Sequence, residues 1–184
     1  MTTIIALLRG VNVGGHNMIK MDVLRALCES LGHCDVQTYV QSGNVVFRTK
    51  ERDAAKLATK IEDSIEKKHG FRPDVIVRTT TEMREVVAKN PFAKRKDIEP
   101  GKLIVTFLAD EPSAETKNAV LALKPDPEEL RVNGRELYIY FPDGSGRSKF
   151  VPVLSKVMKN SGTGRNWNTV VTLLEMAEAL EKSG

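Results

Sequence analysis

The sequence predicts an α+β protein made of two tandem ferredoxin-like (βαββαβ) plait subdomains followed by a C-terminal helix. Three observations predict it. Apolar runs of strand length alternate with stretches whose apolar residues recur at a spacing of three to four. Two short β-branched runs in each half are joined by hairpin signals. The resulting six-element order occurs twice. The expected boundaries are 1–79 for the first subdomain, 80–101 for a connecting helix and linker, and 102–184 for the second subdomain with the last helix.

The first strand is the apolar run from Thr3 to Leu8, long enough for the centre of a sheet, and a glycine-rich stretch from Gly10 to Lys20 follows it. Asp22 is the expected N-cap of a helix carrying Val23, Leu24, Leu27, Cys28 and Leu31 on one face, closed by Gly32. Val36–Val40 and Val45–Arg48 read as strands separated by Gln41-Ser42-Gly43-Asn44. A second helix is expected from Asp53 to Lys68, ending at Gly70, and a fourth strand over Pro73–Arg78.

Thr80–Asn90 reads as the connecting helix and Pro91–Pro100 as a charged linker. In the second half the strands are Leu103–Leu108, Arg131–Val132, Glu136–Phe141 and Thr163–Trp167. Asn133-Gly134 is a strong hairpin signal, because a tight turn needs residues that accept positive φ. Helices are expected over Ser113–Leu123, Ser148–Lys159 and Thr169–Lys182. The repetition lies in element order, with no repeat at the level of residues.

The chain has 184 residues, 41% hydrophobic and 28% charged, with a net charge of +4. That balance supports a packed core and carries no signature of disorder. No apolar run approaches the roughly 18 residues of a membrane span. The N-terminus lacks a basic leader region and reads as a strand, so the expected setting is the cytoplasm. Cys28 and Cys34 match neither a CxxC nor a zinc spacing, and His33 beside them finds no further ligands, so no metal or cofactor is expected.

A βαββαβ plait brings its first βα loop, its hairpin turn and the loop before its last strand to one end of the sheet. In the first subdomain this gathers Arg9, Asn12, Gly14 and Gly15 with Gln41, Ser42 and Asn44. A glycine-rich loop with free N–H groups and a guanidinium suits an anion, although tight turns alone also use these residues. The loop has neither the GxGxxG nor the Walker pattern.

In the second subdomain the opposite end gathers Arg147 and Lys149 with Arg165, Asn166, Trp167 and Thr169. Between Asp143 and Asn166 five basic residues, Arg147, Lys149, Lys156, Lys159 and Arg165, stand against one acid. Trp167 either stacks on a ring or closes the core under the last helix. Base stacking on the sheet, as in RNA-recognition domains, has little support: Phe47 stands alone in the first half, and Phe107, Tyr138, Tyr140 and Phe141 lack the accompanying motif. No carboxylate or nucleophile–base pair stands at a recognisable spacing, which leaves the question of an enzyme open, with His16 as the nearest titratable group.

Three segments resemble the signatures of a bacterial family known as domain of unknown function 1697: Ala6 to Gly15, Thr38 to Phe47, and Gly164 to Val170. Gly146-Arg147-Ser148-Lys149 is also similar to that family, and the resemblance runs over essentially the whole chain. It implies a bacterial cytosolic protein of two plait-like subdomains and brings no activity with it. It draws attention to Arg9, Asn12, Gln41, Ser42, Asn44, Arg165, Asn166, Trp167 and Thr169. The leading expectation is a protein that binds a small anionic or phosphorylated ligand. Nucleic-acid association through the basic cluster, and an enzyme of unspecified reaction, are the alternatives.

Overall fold

The strands and helices follow one another as β1 (Thr2–Leu8), α1 (Met21–Ser30), β2 (Cys34–Tyr39), β3 (Asn44–Thr49), α2 (Ala54–His69), β4 (Val75–Thr79) and α3 (Thr80–Ala88). The second series is β5 (Leu103–Phe107), α4 (Ala114–Leu121), β6 (Glu129–Asn133), β7 (Glu136–Tyr140), α5 (Phe150–Val157), β8 (Thr163–Asn166) and α6 (Trp167–Lys182). These come from a computed structural model that describes residues 1–183. The protein is α+β, with two four-stranded antiparallel sheets of order β2-β3-β1-β4 and β6-β7-β5-β8.

The chain divides into two compact units. Unit 1 is Met1–Arg84 together with the stretch from Thr172 onward, and unit 2 is Glu85–Val171. The division falls inside α3 and inside α6. The last helix, expected wholly with the second subdomain, is therefore shared between the two.

In unit 1, one face of the sheet packs under α1 and α2. Ile4, Ala6 and Leu8 of β1 meet Leu24, Leu27 and Cys28 of α1 and Leu57, Ile61 and Ile65 of α2. Ile5 and Leu7, pointing to the other face, are fully buried as well. Burial on both faces explains why β1 is a continuous apolar run and does not alternate. Helix α2 begins and ends as its sequence dictates: Asp53 accepts from the Lys56 N–H at 3.0 Å, and Gly70 takes a left-handed φ of 76°. Helix α1 differs. It starts two residues earlier, with Lys20 at the N-cap, so Asp22 lies in the first turn beside the positive end of the helix.

In unit 2, Leu137, Ile139 and Phe141 pack with Val120 of α4 and with Phe150, Leu154 and Met158 along α5. The segment read as a charged linker is pinned down. Arg95 makes two hydrogen bonds to Glu129 at 2.8 and 2.6 Å, and its guanidinium also bonds Asp97. The Tyr140 hydroxyl donates to the Asp97 carbonyl at 3.2 Å, and the Tyr138 hydroxyl to the Val86 carbonyl at 2.7 Å.

The two units also repeat at the level of residues, which the sequence does not reveal. Ile5 of β1 pairs with Arg78 of β4, and Val105 of β5 pairs with Arg165 of β8. Both arginines are buried, and each donates from Nη1 to the carbonyl of the preceding residue at 2.9 Å. The next residue caps a helix in both cases. Thr79 Oγ1 accepts from the Glu82 N–H at 3.2 Å, and Asn166 Oδ1 accepts from the Thr169 N–H at 3.0 Å. Each series is thus βαββαβα, with a helix leaving the fourth strand without a loop.

Candidate functional site

In unit 1 the glycine-rich loop does meet the hairpin turn and the loop before β4. The Leu8 N–H donates to the Gly43 carbonyl and the Arg9 N–H to the Asp74 carbonyl, both at 2.9 Å. Three polar side chains at this meeting point, Arg9, Asn12 and Asn44, are spent on holding it. Asn12, at a φ of 55°, donates to the carbonyls of Ile19 and Gln41 at 2.9 and 2.8 Å and accepts from the Ile19 N–H at 2.8 Å. The Arg9 guanidinium pairs with Asp74 at 3.3 Å. Asn44 is fully buried and donates to the Tyr39 carbonyl and to Ser42 Oγ.

Gly14 and Gly15 form the exposed tip of a small hairpin closed between Val13 and His16. Gln41 and Ser42 lie exposed at the neighbouring turn. Here positive-φ chemistry and tight packing account for most of the motif. Gly43 in particular has no room for a side chain, since a Cβ would stand 2.9 Å from the Leu8 Cβ.

In unit 2 the expected basic cluster separates. Arg165 is 8% exposed and donates to Thr163 Oγ1 at 2.8 Å. Burial lowers its pKa to about 10, which still leaves it charged at neutral pH. It sits on β8, a strand whose buried and exposed residues alternate. Asn166 and Thr169 are engaged in capping α6, and Trp167 is the half-buried first residue of that helix. The sheet aromatics Phe107, Tyr138, Tyr140 and Phe141 are all buried, which removes them from base stacking.

Arg147 and Lys149 stay exposed, and they line a cleft of about 460 Å³. Its apolar wall includes Leu123, Pro125, Phe141, Phe150 and Val153. The loop from Phe141 to Lys149 is shaped by two turns, Gly144 N–H to Phe141 carbonyl at 2.9 Å and Ser148 N–H to Ser145 carbonyl at 3.2 Å. Ser148 Oγ accepts from the Phe150 N–H at 3.1 Å and donates to Glu128 Oε1 at 2.5 Å. Helix α5 is shorter than expected, because Ser148 stands before it and ties its first turn. Sequence reasoning missed Glu128, twenty residues from its partner. The Pro125–Glu128 segment between α4 and β6 carried no signal of its own.

The family model described as protein of unknown function (DUF1697) matches residues 1–138 of the chain. The protein belongs to that family. The matched stretch includes the signatures at Ala6–Gly15 and Thr38–Phe47, while Gly146–Lys149 and Gly164–Val170 follow it. Among solved structures, this family member is similar to the conserved bacterial protein SP0830 from Streptococcus pneumoniae. The TM-score is 0.75 at 21% identity, over 96% of this chain and 98% of that one. The likeness is one of fold. No curated protein matches.

One of the two cysteines is chemically quiet. The Cys28 thiol is buried and its pKa is raised to about 12, so it stays a neutral packing group. Both cysteines are free. Among the described residues, no group of three or more His, Cys, Asp or Glu stands together as a metal site, and no helix is long and apolar enough to cross a membrane.

Proposed function

We propose that this protein binds a small organic anion in the unit 2 cleft, with the anionic end against Arg147 and Lys149 and the apolar body on the cleft wall. The observation that carries the reading is the cleft itself: about 460 Å³, apolar on its wall and bearing two exposed cations. That volume falls in the range of small-molecule sites, which pair an apolar wall with a few placed polar groups. The expectation of phosphate binding at the glycine-rich loop of unit 1 draws less support, because Arg9 and Asn12 already have partners there.

The test is a thermal-shift screen of carboxylates and phosphate esters on the full chain, repeated with Arg147→Ala/Lys149→Ala. Ligands that raise the melting temperature of the natural protein should not raise that of the variant. Equal shifts in both proteins would refute the cleft as the site.

The same reading has two coarser companions. The sheet order and the βαββαβ succession support a ferredoxin-like plait in each unit. The two free thiols and the bacterial neighbour support a bacterial cytoplasmic setting.

A further inference from the structure

Five charged side chains line the unit 2 cleft: Arg147 and Lys149 against Asp126, Glu128 and Asp143. Among the described residues none of the five makes an ion pair. Elsewhere in unit 2 the charges do find each other, as in Arg95 with Asp97 and Glu129, and Lys102 with Glu99. Glu128 has one partner, a neutral one, the Ser148 hydroxyl. One small cleft thus holds opposite charges that are not joined in ion pairs, with Asp143 also feeling the Lys102 ammonium.

A polyanion is poorly suited to this lining. Three carboxylates outweigh two cations, and like charges close together repel by Coulomb's law, the more so beside an apolar wall. A purely cationic ligand would face Arg147 and Lys149 in the same way. A molecule carrying both signs satisfies both sets, and recognition by charge complementarity of this kind also rejects the wrong partner. The wall of Leu123, Phe141, Phe150 and Val153 asks for an apolar body between the charged ends.

We infer that the ligand of this cleft is a small zwitterion with an apolar body, of the class of a hydrophobic amino acid or dipeptide. Its carboxylate lies toward Arg147 and Lys149 and its ammonium toward Asp126 and Asp143. The inference rests on the anion-binding reading above and narrows it to one class.

The experiment is calorimetric titration of the full chain with leucyl-phenylalanine and two relatives: N-acetyl-leucyl-phenylalanine, which lacks the ammonium, and leucyl-phenylalanine amide, which lacks the carboxylate. The zwitterion should bind at least tenfold more tightly than either relative. Asp126→Asn/Asp143→Asn should abolish the preference over the acetylated peptide, and Arg147→Ala/Lys149→Ala the preference over the amide. If the acetylated peptide binds as tightly as the zwitterion while the amide binds weakly, the zwitterion inference falls and the anion reading stands. If both relatives bind as the zwitterion does, or if none of the three binds, the inference is overturned. Carboxylates and phosphate esters that also fail in the thermal screen would then overturn the anion reading separately.

Discussion

Gly15 and Gly43 share a φ of +77° but differ in their surroundings, so the pair separates two costs that usually come together. A Cβ at Gly15 meets nothing within 4 Å, whereas one at Gly43 would lie 2.9 Å from the Leu8 Cβ and 3.4 Å from the Val11 Cβ. Alanine in the left-handed region costs roughly 1–2 kcal/mol at either position. Gly43→Ala adds overpacking, typically about 1–3 kcal/mol. Leu8 cannot simply move, because it is fully buried and its N–H is bonded to the Gly43 carbonyl. Gly15→Ala should therefore cost about 1–2 kcal/mol and Gly43→Ala about 2–5 kcal/mol, summing these same contributions. Both residues belong to unit 1, so the same urea transition reports on each. Fitting midpoint and slope separately keeps a change in stability apart from a change in the denatured state. If the two variants lost stability equally, within about 0.5 kcal/mol, steric closure of the β1–α1 loop on the β2–β3 turn would be refuted.

His33 is 6% exposed, stacks on Phe47 with ring centroids 4.4 Å apart, and leaves Nε2 without a partner. Burial, and secondarily Lys60, lower its pKa from the ordinary 6.5. Its neutral form is thus the folded form, so stability should fall as pH drops below 6.5, and His33→Phe should flatten that fall. A variant with the natural slope of urea midpoint against pH would exclude His33 as the source. Asn12→Ala should lose roughly 2–4 kcal/mol by urea melt, from three hydrogen bonds at about 1 kcal/mol each and a left-handed backbone that asparagine tolerates better; a loss below about 0.5 kcal/mol would show that water replaces these bonds.

Local chemistry made some of this fold legible and long-range contacts hid the rest. Asp53 and Gly70 bracket α2 as their residue types require, and Gly134, at a φ of 56°, turns β6 into β7 together with Arg135, while Asn133 ends β6 paired with Glu136. The Pro91–Pro100 segment looked like a solvated linker because Arg95, Asp97 and Glu129 declare charge but not pairing. The pairing of Arg95 with Glu129 depends on β6, 34 residues away. Arg165 invited a ligand for the same reason. The alternation along Thr163-Gly164-Arg165-Asn166 was a readable sign of its burial, since two residues apart on a strand share a face. The meeting of the unit 1 loops followed from element order alone. That their side chains hold the loops together, with Asn12 reaching Ile19 and Gln41, is a matter of tertiary contacts that residue types do not declare.

Because unit 1 includes the stretch from Thr172 onward, it is a discontinuous body interrupted by the whole of unit 2. A polypeptide made from its N-terminus reaches Arg84 long before it reaches Glu178 and Glu181, the carboxylates that pair with that arginine at 2.7 and 2.6 Å. The sheet of unit 1 is therefore separated in sequence, by the whole of unit 2, from the helix whose carboxylates pair with Arg84. A fragment cut after Arg84 would hold every strand of the first sheet and still be an unfinished unit.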